Sequence, residues 1–435
     1  MKEFEYFKKR KESNVSKIIV VGAGAAGLMA AGQAALAGGD VLLIEKMEHP
    51  GRKIAISGKG RCNITNAASI EDFIQNYPGN GKFLYGILRE FDNHQLREFL
   101  ANYGVETKIE RGGRVFPVAD DAELVVNALL KFISENKVEL AIKKKVEELI
   151  VENDEIRGVR LSNGEEIRGK AVIICTGGGS YPGTGSTGDG YLIAQKVGHK
   201  VVTPRPALVP LRTYEKWVRE VQGLSLRNVE VTLWVEGKKE KVEFGEMMFT
   251  HFGVSGPIIL TLSRWAGEGL RKGKKVVLDI NLKPALSPEQ LDQRVQRDFS
   301  KFANKQFKNS LDELLPKSLI PVIIKLSGIS PEQVVHQITR EERKRLVNLL
   351  QRLSLQVKET LSLAGAIVTA GGVDVKEIDP KTMASKKIKG LYWAGEVVDV
   401  DGITGGYNLQ AAFSMGYRAG RAAVEFVLGD KRGLT

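Results

Sequence analysis

Residues 18–27 read Ile18-Ile19-Val20-Val21-Gly22-Ala23-Gly24-Ala25-Ala26-Gly27, a short apolar run followed by a glycine-rich turn. An alanine- and leucine-rich stretch comes next, and a second apolar run, residues 41–44, then ends in Glu45. This order predicts a strand, a tight turn, a helix and a second strand. With an acid about 20 residues after the first glycine, the unit has the complete dinucleotide-binding pattern of a βαβ fold.

Each residue type in this unit has a physical role. Gly22 permits the turn, Gly24 lets the backbone approach a pyrophosphate, and Gly27 lets the helix pack close to the strand. The helix N-terminus offers unpaired N–H groups to an anion, and Glu45 can accept hydrogen bonds from ribose hydroxyls. An acid at this place disfavours a 2′-phosphate, so the site suits FAD or NAD rather than NADP. The alternative is a glycine-rich turn in an α/β sheet that binds no nucleotide.

Length and composition limit the class of protein. A chain of 435 residues with 43% apolar residues predicts two or three globular domains. No run of about 18 apolar residues occurs, and residues 1–16 lack the apolar core of a signal peptide, so we expect a cytoplasmic protein without a membrane partner. Cys62 and Cys175 are the only cysteines, which argues against a disulfide framework and a metal site.

The net charge of +12 is unevenly distributed along the chain. Residues 196–364 hold 29 Lys and Arg against 18 Asp and Glu, whereas the remainder holds 35 against 34. Such an asymmetry favours a polyanionic partner such as nucleic acid. A solvated lysine-rich face is the alternative.

Residues 51–66 are dense in glycine, cations and short polar side chains. This composition suits a loop over phosphates, where Lys53, Lys59 and Arg61 meet negative charge. Asn63, Thr65 and Asn66 can hydrogen-bond a ribityl chain or the edge of a ring. The alternative is a solvated basic loop.

The next part of the chain predicts helices at residues 93–103 and 122–136. Three segments, residues 139–150, 158–162 and 166–175, then predict a small antiparallel layer whose last strand returns to the main sheet. In the loop at residues 176–190, Gly183, Gly185 and Gly188 repeat the glycine spacing. This is not a nicotinamide site, because seven residues separate it from the strand and no acid ends a strand about 20 residues later. We expect a mobile loop beside the first dinucleotide.

Residues 200–285 contain strand-like runs, and residues 287–363 have a helical period. Ser287-Pro288 and Ser330-Pro331 each place a capping serine before a proline, which predicts two helix starts. The sheet pattern resumes after Ala366, and a glycine-rich turn opens a last helix that is expected to end at Leu428.

Four long motifs together resemble the YhiN/BaiN-type flavoproteins, the NAD(FAD)-utilizing dehydrogenase-like family, over almost the whole chain. They lie at residues 20–27, 53–63, 176–190 and 395–410. The resemblance implies an α/β fold in which a glutathione-reductase-like Rossmann FAD domain is interrupted by inserted β-rich and helical subdomains. The implied boundaries are residues 1–195 and 365–435 for the FAD domain, 196–285 for the β-rich domain and 286–364 for the helical subdomain.

The resemblance also implies which residues bind FAD, from the pyrophosphate and adenosine through the ribityl chain to the isoalloxazine. They are Gly22, Gly24, Ala25, Ala26, Gly27, Glu45, Lys46, Arg52, Lys53, Ser57, Gly58, Gly60, Arg61, Cys62, Asn63, Val146, Thr176, Gly177, Gly178, Gly395, Glu396, Asp401, Gly405, Gly406, Tyr407, Asn408 and Leu409. No second nucleotide motif is present, so NAD(P)H, if used as electron donor, is expected to bind transiently at the flavin face.

Activities described in this family differ, and three hypotheses follow. The first is an FAD-dependent reductase that converts a uridine of large-subunit ribosomal RNA to dihydrouridine, with the basic insertion binding the RNA. The others are a small-molecule flavin oxidase or ene-reductase, with an amine or a bile-acid-like substrate, and an RNA-binding protein with structural FAD.

Reduction of a pyrimidine double bond needs hydride from flavin N5 at one carbon and a proton donor at the opposite carbon. Cys62, Tyr407 and His251 are the candidates. Each has a structural alternative: Cys62 packs beneath the phosphate loop, Tyr407 forms a wall of the flavin site, and His251 is a satisfied structural histidine. Cys175 is expected in the core.

Overall fold

A computed structural model of the chain describes residues 17–432. They form two compact units, one made of the residues up to Arg205 and from Ile367 onward, the other of Pro206–Ala366. Within this described range, the helices are all too short or too polar to cross a lipid bilayer.

The strands, in chain order, are β1 (Lys17–Val21), β2 (Asp40–Ile44), β3 (Thr65–Asn66), β4 (Thr107–Ile109), β5 (Arg114–Pro117), β6 (Glu139–Ala141), β7 (Val146–Glu152), β8 (Glu155–Leu161), β9 (Glu166–Arg168), β10 (Ala171–Ile174), β11 (Val201–Ala207), β12 (Leu211–Thr213), β13 (Ser225–Val235), β14 (Lys238–Thr250), β15 (Gly253–Ser255), β16 (Val276–Asn281), β17 (Leu353–Thr360), β18 (Val368–Val373) and β19 (Leu391–Trp393).

The α-helices are α1 (Ala25–Leu36), α2 (Arg52–Ile56), α3 (Ile70–Gln75), α4 (Tyr85–Glu90), α5 (Asn93–Asn102), α6 (Ala122–Glu135), α7 (Asp189–Lys196), α8 (Pro257–Arg271), α9 (Pro288–Lys301), α10 (Ile320–Ser327), α11 (Arg340–Gln351) and α12 (Tyr407–Arg432).

A parallel five-stranded sheet in the order β19-β10-β1-β2-β6 is the centre of the first unit. Residues 18–20 of β1 are fully buried, as expected for a central parallel strand. The structure confirms the predicted βαβ unit in β1, α1 and β2. It also confirms the antiparallel layer, in the order β7-β8-β9. The assignment of residues 139–141 to that layer was wrong, because β6 pairs in parallel with β2.

Helix α12 packs closely against α1 through two glycines. A Cβ atom at Gly416 would lie 2.3 Å from the carbonyl oxygen of Ala26, and one at Gly420 would lie 2.3 Å from that of Ala30. Both distances are far below van der Waals contact, and the neighbouring atoms are backbone atoms that cannot rotate away. The close approach of the two helices therefore requires glycine at both positions.

The Gly420→Ala variant is expected to be destabilised by about 1–3 kcal/mol, because the added methyl group overpacks the helix contact by more than the gain in helix propensity. Gly429→Ala is the matched control in the same helix, since Gly429 is exposed and nothing lies within 4 Å of the new atom. Urea unfolding of both variants measures the difference. Equal free energies of unfolding would show that the helices do not need this contact.

The second unit contains a closed antiparallel barrel in the order β12-β15-β14-β13-β16-β17. The expectation of a helical period through residue 363 was wrong at β17. Leu353, Leu355 and Val357 alternate with more exposed residues, so this segment has the period of two that places every second side chain in the barrel.

One of the two predicted helix starts in this unit is confirmed. Ser287 caps α9 in a capping box, its hydroxyl accepting from the Gln290 N–H while the Gln290 side chain accepts from the Ser287 N–H. The start at Ser330 was wrong. In a helix starting there, the N–H of Val335 would donate within the helix, but it donates to the carbonyl of Lys305 instead. The next helix, α11, begins after Thr339.

Candidate functional site

The turn between β1 and α1 has the tight geometry that its glycines predict. Gly22 has a φ of +100°, and a Cβ atom there would lie 2.5 Å from the carbonyl oxygen of Cys175. A Cβ atom at Gly27 would lie 1.7 Å from the carbonyl oxygen of Gly22, so the helix and the turn are in direct backbone contact. At Gly24, in contrast, nothing lies within 4 Å of the Cβ position.

Helix α1 begins without a side-chain cap. Gly24 is the N-cap residue, and the first turn contains no acidic side chain. The N–H groups of this turn are therefore available to an external acceptor, and the helix dipole favours a negatively charged one. An anion such as a pyrophosphate is the group that this end of the helix suits.

Glu45 follows the end of β2 and is held in place by two backbone groups. Its Oε2 accepts a hydrogen bond of 2.7 Å from the N–H of Ala23, and its Oε1 accepts one of 2.8 Å from the N–H of Met47. Each carboxylate oxygen keeps a further lone pair. The fixed carboxylate can therefore accept hydrogen bonds from ribose hydroxyls.

Both groups line one cavity of about 610 Å³ in the first unit. The residues assigned to FAD from the sequence that line it are Gly22, Gly24, Ala25, Ala26, Glu45, Lys46, Arg52, Lys53, Ser57, Gly58, Val146, Thr176, Gly177, Gly395, Glu396, Asn408 and Leu409. The assigned residues that do not are Gly27, Gly60, Arg61, Cys62, Asn63, Gly178, Asp401, Gly405, Gly406 and Tyr407. The cavity thus gathers residues from the first βαβ unit, the loop after it, β7, the end of β10 and the chain around β19 and α12.

Arg61 is engaged elsewhere. Its guanidinium is paired with Glu110 and Asp120 and lies over the Phe116 ring at 4.2 Å from the ring centroid. The hydrogen bonds to these two carboxylates raise the pKa of Arg61. Its contacts thus lie with the segment around β4 and β5 rather than in the cavity lining.

Several lining residues were not assigned from the sequence. They are His49, Gly51, Lys144, Lys145, Tyr181, Thr184, Gly185, Ser186, Asp189, Ile367, Val368 and Met415, with other apolar neighbours, whereas Lys59, predicted to meet phosphate charge, also lines the cavity. The loop at residues 176–190 was expected beside the dinucleotide, and its residues on this wall agree with that expectation. Lys144 and Lys145 directly precede Val146, which was assigned to FAD, so their position in the sequence could have predicted that they line the cavity.

An ion pair ties the loop at residues 176–190 to the end of β2. Lys46 Nζ lies 2.6 Å from Asp189 Oδ2 and 2.5 Å from Thr187 Oγ1, and Lys145 Nζ lies 3.9 Å from Asp189 Oδ1. Burial opposes the charge of Asp189, but the hydrogen bond and charge of Lys46 outweigh it, and the pKa of Asp189 is lowered. Asp189 is therefore an ionised partner that joins two walls of the cavity.

A second polar cluster surrounds Glu396. Its Oε2 lies 2.5 Å from Lys53 Nζ, while its Oε1 accepts from Ser180 Oγ at 2.9 Å and from the N–H of Thr369 at 2.7 Å. Lys53 also donates to Ser180 at 2.8 Å. The carboxylate of Glu396 and the ammonium of Lys53 are thus both held in fixed positions at the lining of the cavity.

These features fit FAD. The uncapped helix N-terminus suits a pyrophosphate, and the fixed carboxylate of Glu45 suits a ribose. In addition, the Thr176 hydroxyl oxygen is buried at the cavity and has no hydrogen-bond partner among the described residues. A buried hydroxyl is costly without a partner, and a ligand in this cavity can supply one.

The three candidate proton donors lie in different surroundings. Cys62 is fully buried, and burial raises the pKa of its thiol to about 12. Its surroundings match the packing alternative. His251 is exposed in the second unit, beside the Phe252 ring, and its carbonyl accepts from Arg219 Nε at 3.1 Å. Cys175 is buried at the end of β10, as expected.

Tyr407 is the first residue of α12 and precedes two residues of the cavity lining, Asn408 and Leu409. It is 7% exposed, and its hydroxyl oxygen accepts from Asn76 Nδ2 at 3.0 Å. Burial raises the pKa of this phenol, so it stays protonated at neutral pH. Its ring meets the Phe73 ring edge-on, with 4.9 Å between centroids. A hydroxyl that accepts from Asn76 keeps its own proton for donation.

Comparison with known proteins agrees with this geometry. The family described as HI0933-like protein Rossmann domain matches residues 16–422. A 3-dehydro-bile acid delta(4,6)-reductase of Clostridium scindens is 32% identical over 94% of this chain and 100% of its own length. A ribosomal RNA dihydrouridine synthase of Haemophilus influenzae is 32% identical over 93% of this chain and 98% of its own length.

Among solved structures, a 3-ketosteroid delta1-dehydrogenase from Sterolibacterium denitrificans aligns with 95% of this chain and 100% of its own, with a TM-score of 0.54. The two chains share 15% sequence identity. Identity at this level shows a common fold and carries no information on substrate. The two sequence relatives span nearly the whole chain, so the likeness to them covers both units.

Proposed function

The chain belongs to the HI0933-like family of Rossmann-domain proteins and is an FAD-dependent oxidoreductase, and we propose that it reduces a carbon–carbon double bond conjugated to a carbonyl group. The observation that carries this proposal is that two relatives of equal identity have names denoting saturation of a ring double bond. The two substrate types, a 3-oxo bile acid and the uracil ring of a uridine, otherwise have little chemistry in common. Both place a carbonyl where it can accept the negative charge that hydride addition creates.

FAD would be held along the cavity by the first turn of α1 at its pyrophosphate and by Glu45 at its ribose. When bound, FAD supplies hydride chemistry to the reaction. Lys53 and Glu396 hold each other in place at the cavity lining, which orients their charges before any ligand binds. As the electron donor we propose NAD(P)H that binds transiently, because the chain has a single dinucleotide-binding pattern.

We propose a uridine of large-subunit ribosomal RNA as the substrate. The second unit supports this, since its residues 206–366 hold 26 Lys and Arg against 18 Asp and Glu. A basic surface attracts phosphates at long range, whereas a small apolar acid does not need one. A bile-acid-like substrate is the second candidate, favoured by the 32% identity with the Clostridium scindens reductase.

For the proton we propose Tyr407 as the donor. Of the three candidates, Tyr407 directly precedes residues of the cavity lining. Its hydroxyl oxygen accepts a hydrogen bond from Asn76, and its hydroxyl proton has no acceptor among the described residues. The raised pKa keeps the phenol protonated, which a general acid requires.

The substrate proposal predicts that unmodified ribosomal RNA reoxidises the reduced protein about tenfold or more faster than dioxygen alone. Stopped-flow absorbance of the flavin measures this rate, and mass mapping of the RNA detects the reduced uridine. Ribosomal RNA that already contains dihydrouridine is the control. Reoxidation by a 3-oxo-Δ4 steroid and not by RNA would contradict the RNA substrate and support the second candidate.

A further inference from the structure

One end of the barrel brings together two basic segments that are distant in the sequence. Lys238 and Lys239 begin β14, directly after its turn from β13, and the segment between α8 and β16 carries Lys274 and Lys275. Val235 pairs with Lys238 on one side and with Val276 on the other, and the N–H of Glu236 donates to the carbonyl of Lys275 at 2.8 Å. Neighbouring strands lie about 4.8 Å apart, so the two segments are separated by roughly 10 Å.

The four lysines are exposed, and none forms an ion pair with any residue in the described range. Neighbouring cations are partly compensated, since Arg271 and Lys272 pair with Glu268, and Lys241 pairs with Glu243. A separation of roughly 10 Å is close to the Debye length at 0.1 M salt, so the potentials of the four charges add. Glu236 and Glu240 flank this group, so its four lysines exceed the adjacent carboxylates by two and this end of the barrel has a net positive charge.

An aromatic side chain lies in the same patch. Trp234 is on the outer face of β13, where it is partly exposed while Leu233 and Val235 are buried. Lys239 is its direct partner across the strand pair, and the guanidinium of Arg352 lies 5.7 Å from the indole centroid. Cations beside an accessible aromatic ring are typical of surfaces that bind unpaired nucleic acid, where bases stack and phosphates pair with the cations.

The other basic run of this unit is less suited to phosphates. Arg343 is held by Asp292 through hydrogen bonds of 2.7 and 3.3 Å, and Glu341 and Glu342 directly precede it. The carboxylates cancel much of the positive charge there. The barrel end therefore carries a larger net positive charge than this run and is better suited to bind the phosphates of an RNA backbone.

We propose that the basic barrel end, defined as Trp234, Lys238, Lys239, Lys274 and Lys275, binds the backbone of an unpaired segment of the substrate RNA. This rests on the proposed function in one respect, that the substrate is RNA. The barrel end would hold the RNA by its phosphates and leave base selection to other parts of the protein.

The test compares two variants of the full-length, FAD-loaded protein, each with four exposed lysines neutralised. The first is Lys238→Gln, Lys239→Gln, Lys274→Gln and Lys275→Gln. The control carries Lys305→Gln, Lys308→Gln, Lys317→Gln and Lys325→Gln, which lie on exposed positions of the same unit. Unmodified ribosomal RNA is the probe, and fluorescence anisotropy measures its affinity from about 50 to 300 mM salt. Flavin absorbance and thermal unfolding confirm that both variants are folded.

The first variant should bind RNA about 10- to 100-fold more weakly at low salt. The slope of log affinity against log salt should become shallower by about 2.8, at 0.7 for each lost contact with a single strand. The control should change this slope by less than about 0.7, the contribution of a single contact. Equal effects of the two variants, or a larger effect of the control, would overturn the proposed surface while leaving RNA as the substrate. Failure of the parent to bind RNA at low salt would instead overturn the substrate proposal.

Discussion

The Gly24→Val variant is expected to fold normally and to purify without flavin. Nothing lies within 4 Å of the Cβ position of Gly24, and its φ of −86° is accessible to valine, so the protein without cofactor has room for the side chain. That room is part of the cavity in front of the helix N-terminus. The valine would occupy the space of the pyrophosphate and remove its charged hydrogen bonds, each worth about 1.5–3 kcal/mol. FAD affinity should fall by about 10²-fold or more.

Gly86→Val is the matched control, because Gly86 is also free of neighbours within 4 Å and lies on the exposed side of α4, outside the cavity. Flavin absorbance per protein and isothermal titration with FAD provide the measurement. Normal flavin content in Gly24→Val would contradict the placement of the pyrophosphate. Loss of flavin in both variants would point to a general effect on folding.

The Tyr407→Phe variant is expected to slow oxidation of the reduced flavin by substrate by about 10²- to 10⁴-fold, with FAD still bound. Removing a general acid slows proton transfer and leaves cofactor affinity unchanged. The phenyl ring keeps the edge contact with Phe73, so the effect should come from the hydroxyl. Stopped-flow kinetics with substrate, compared with reoxidation by dioxygen, separates the chemical step from flavin reactivity in general.

Two variants accompany this experiment. Tyr417→Phe removes a hydroxyl from the same helix, at a ring stacked on Phe91, and should match the parent. Cys62→Ser should also match it, because the thiol is fully buried. A slow Cys62→Ser with a normal Tyr407→Phe would transfer the role to the cysteine. If neither variant is slow, His251→Asn becomes the next substitution to measure.

The sequence was most informative where the physical constraint is local. A turn that needs backbone contact can contain only glycine, and the Cβ positions of Gly22 and Gly27 show why in this structure. The capping box at Ser287 is equally local, since serine, proline and glutamine act within four residues. At Ser330 the same signal failed, because the backbone there pairs with a segment about 30 residues earlier, at Lys305.

The strand β17 was missed for a related reason. Its alternation of Leu353, Leu355 and Val357 is a strand signal, but it follows a helical stretch directly and covers few residues. Only its pairing with β12 and β16, which close the barrel, distinguishes it from the end of a helix. Strand pairing is a non-local contact, so periodicity in a short window could not settle it.

The sequence by itself determined the family, the dinucleotide unit and 17 of the residues in the cavity lining, because each depends on residue types at short, fixed spacings. The tertiary structure decided which distant charges meet. Lys46 and Asp189 are 143 positions apart and Lys53 and Glu396 are 343 apart, yet each pair forms an ion pair at the cavity lining. The two lysine pairs of the barrel end meet only because β13 lies between β14 and β16. Charge interactions depend on distance in space, which chain separation does not set.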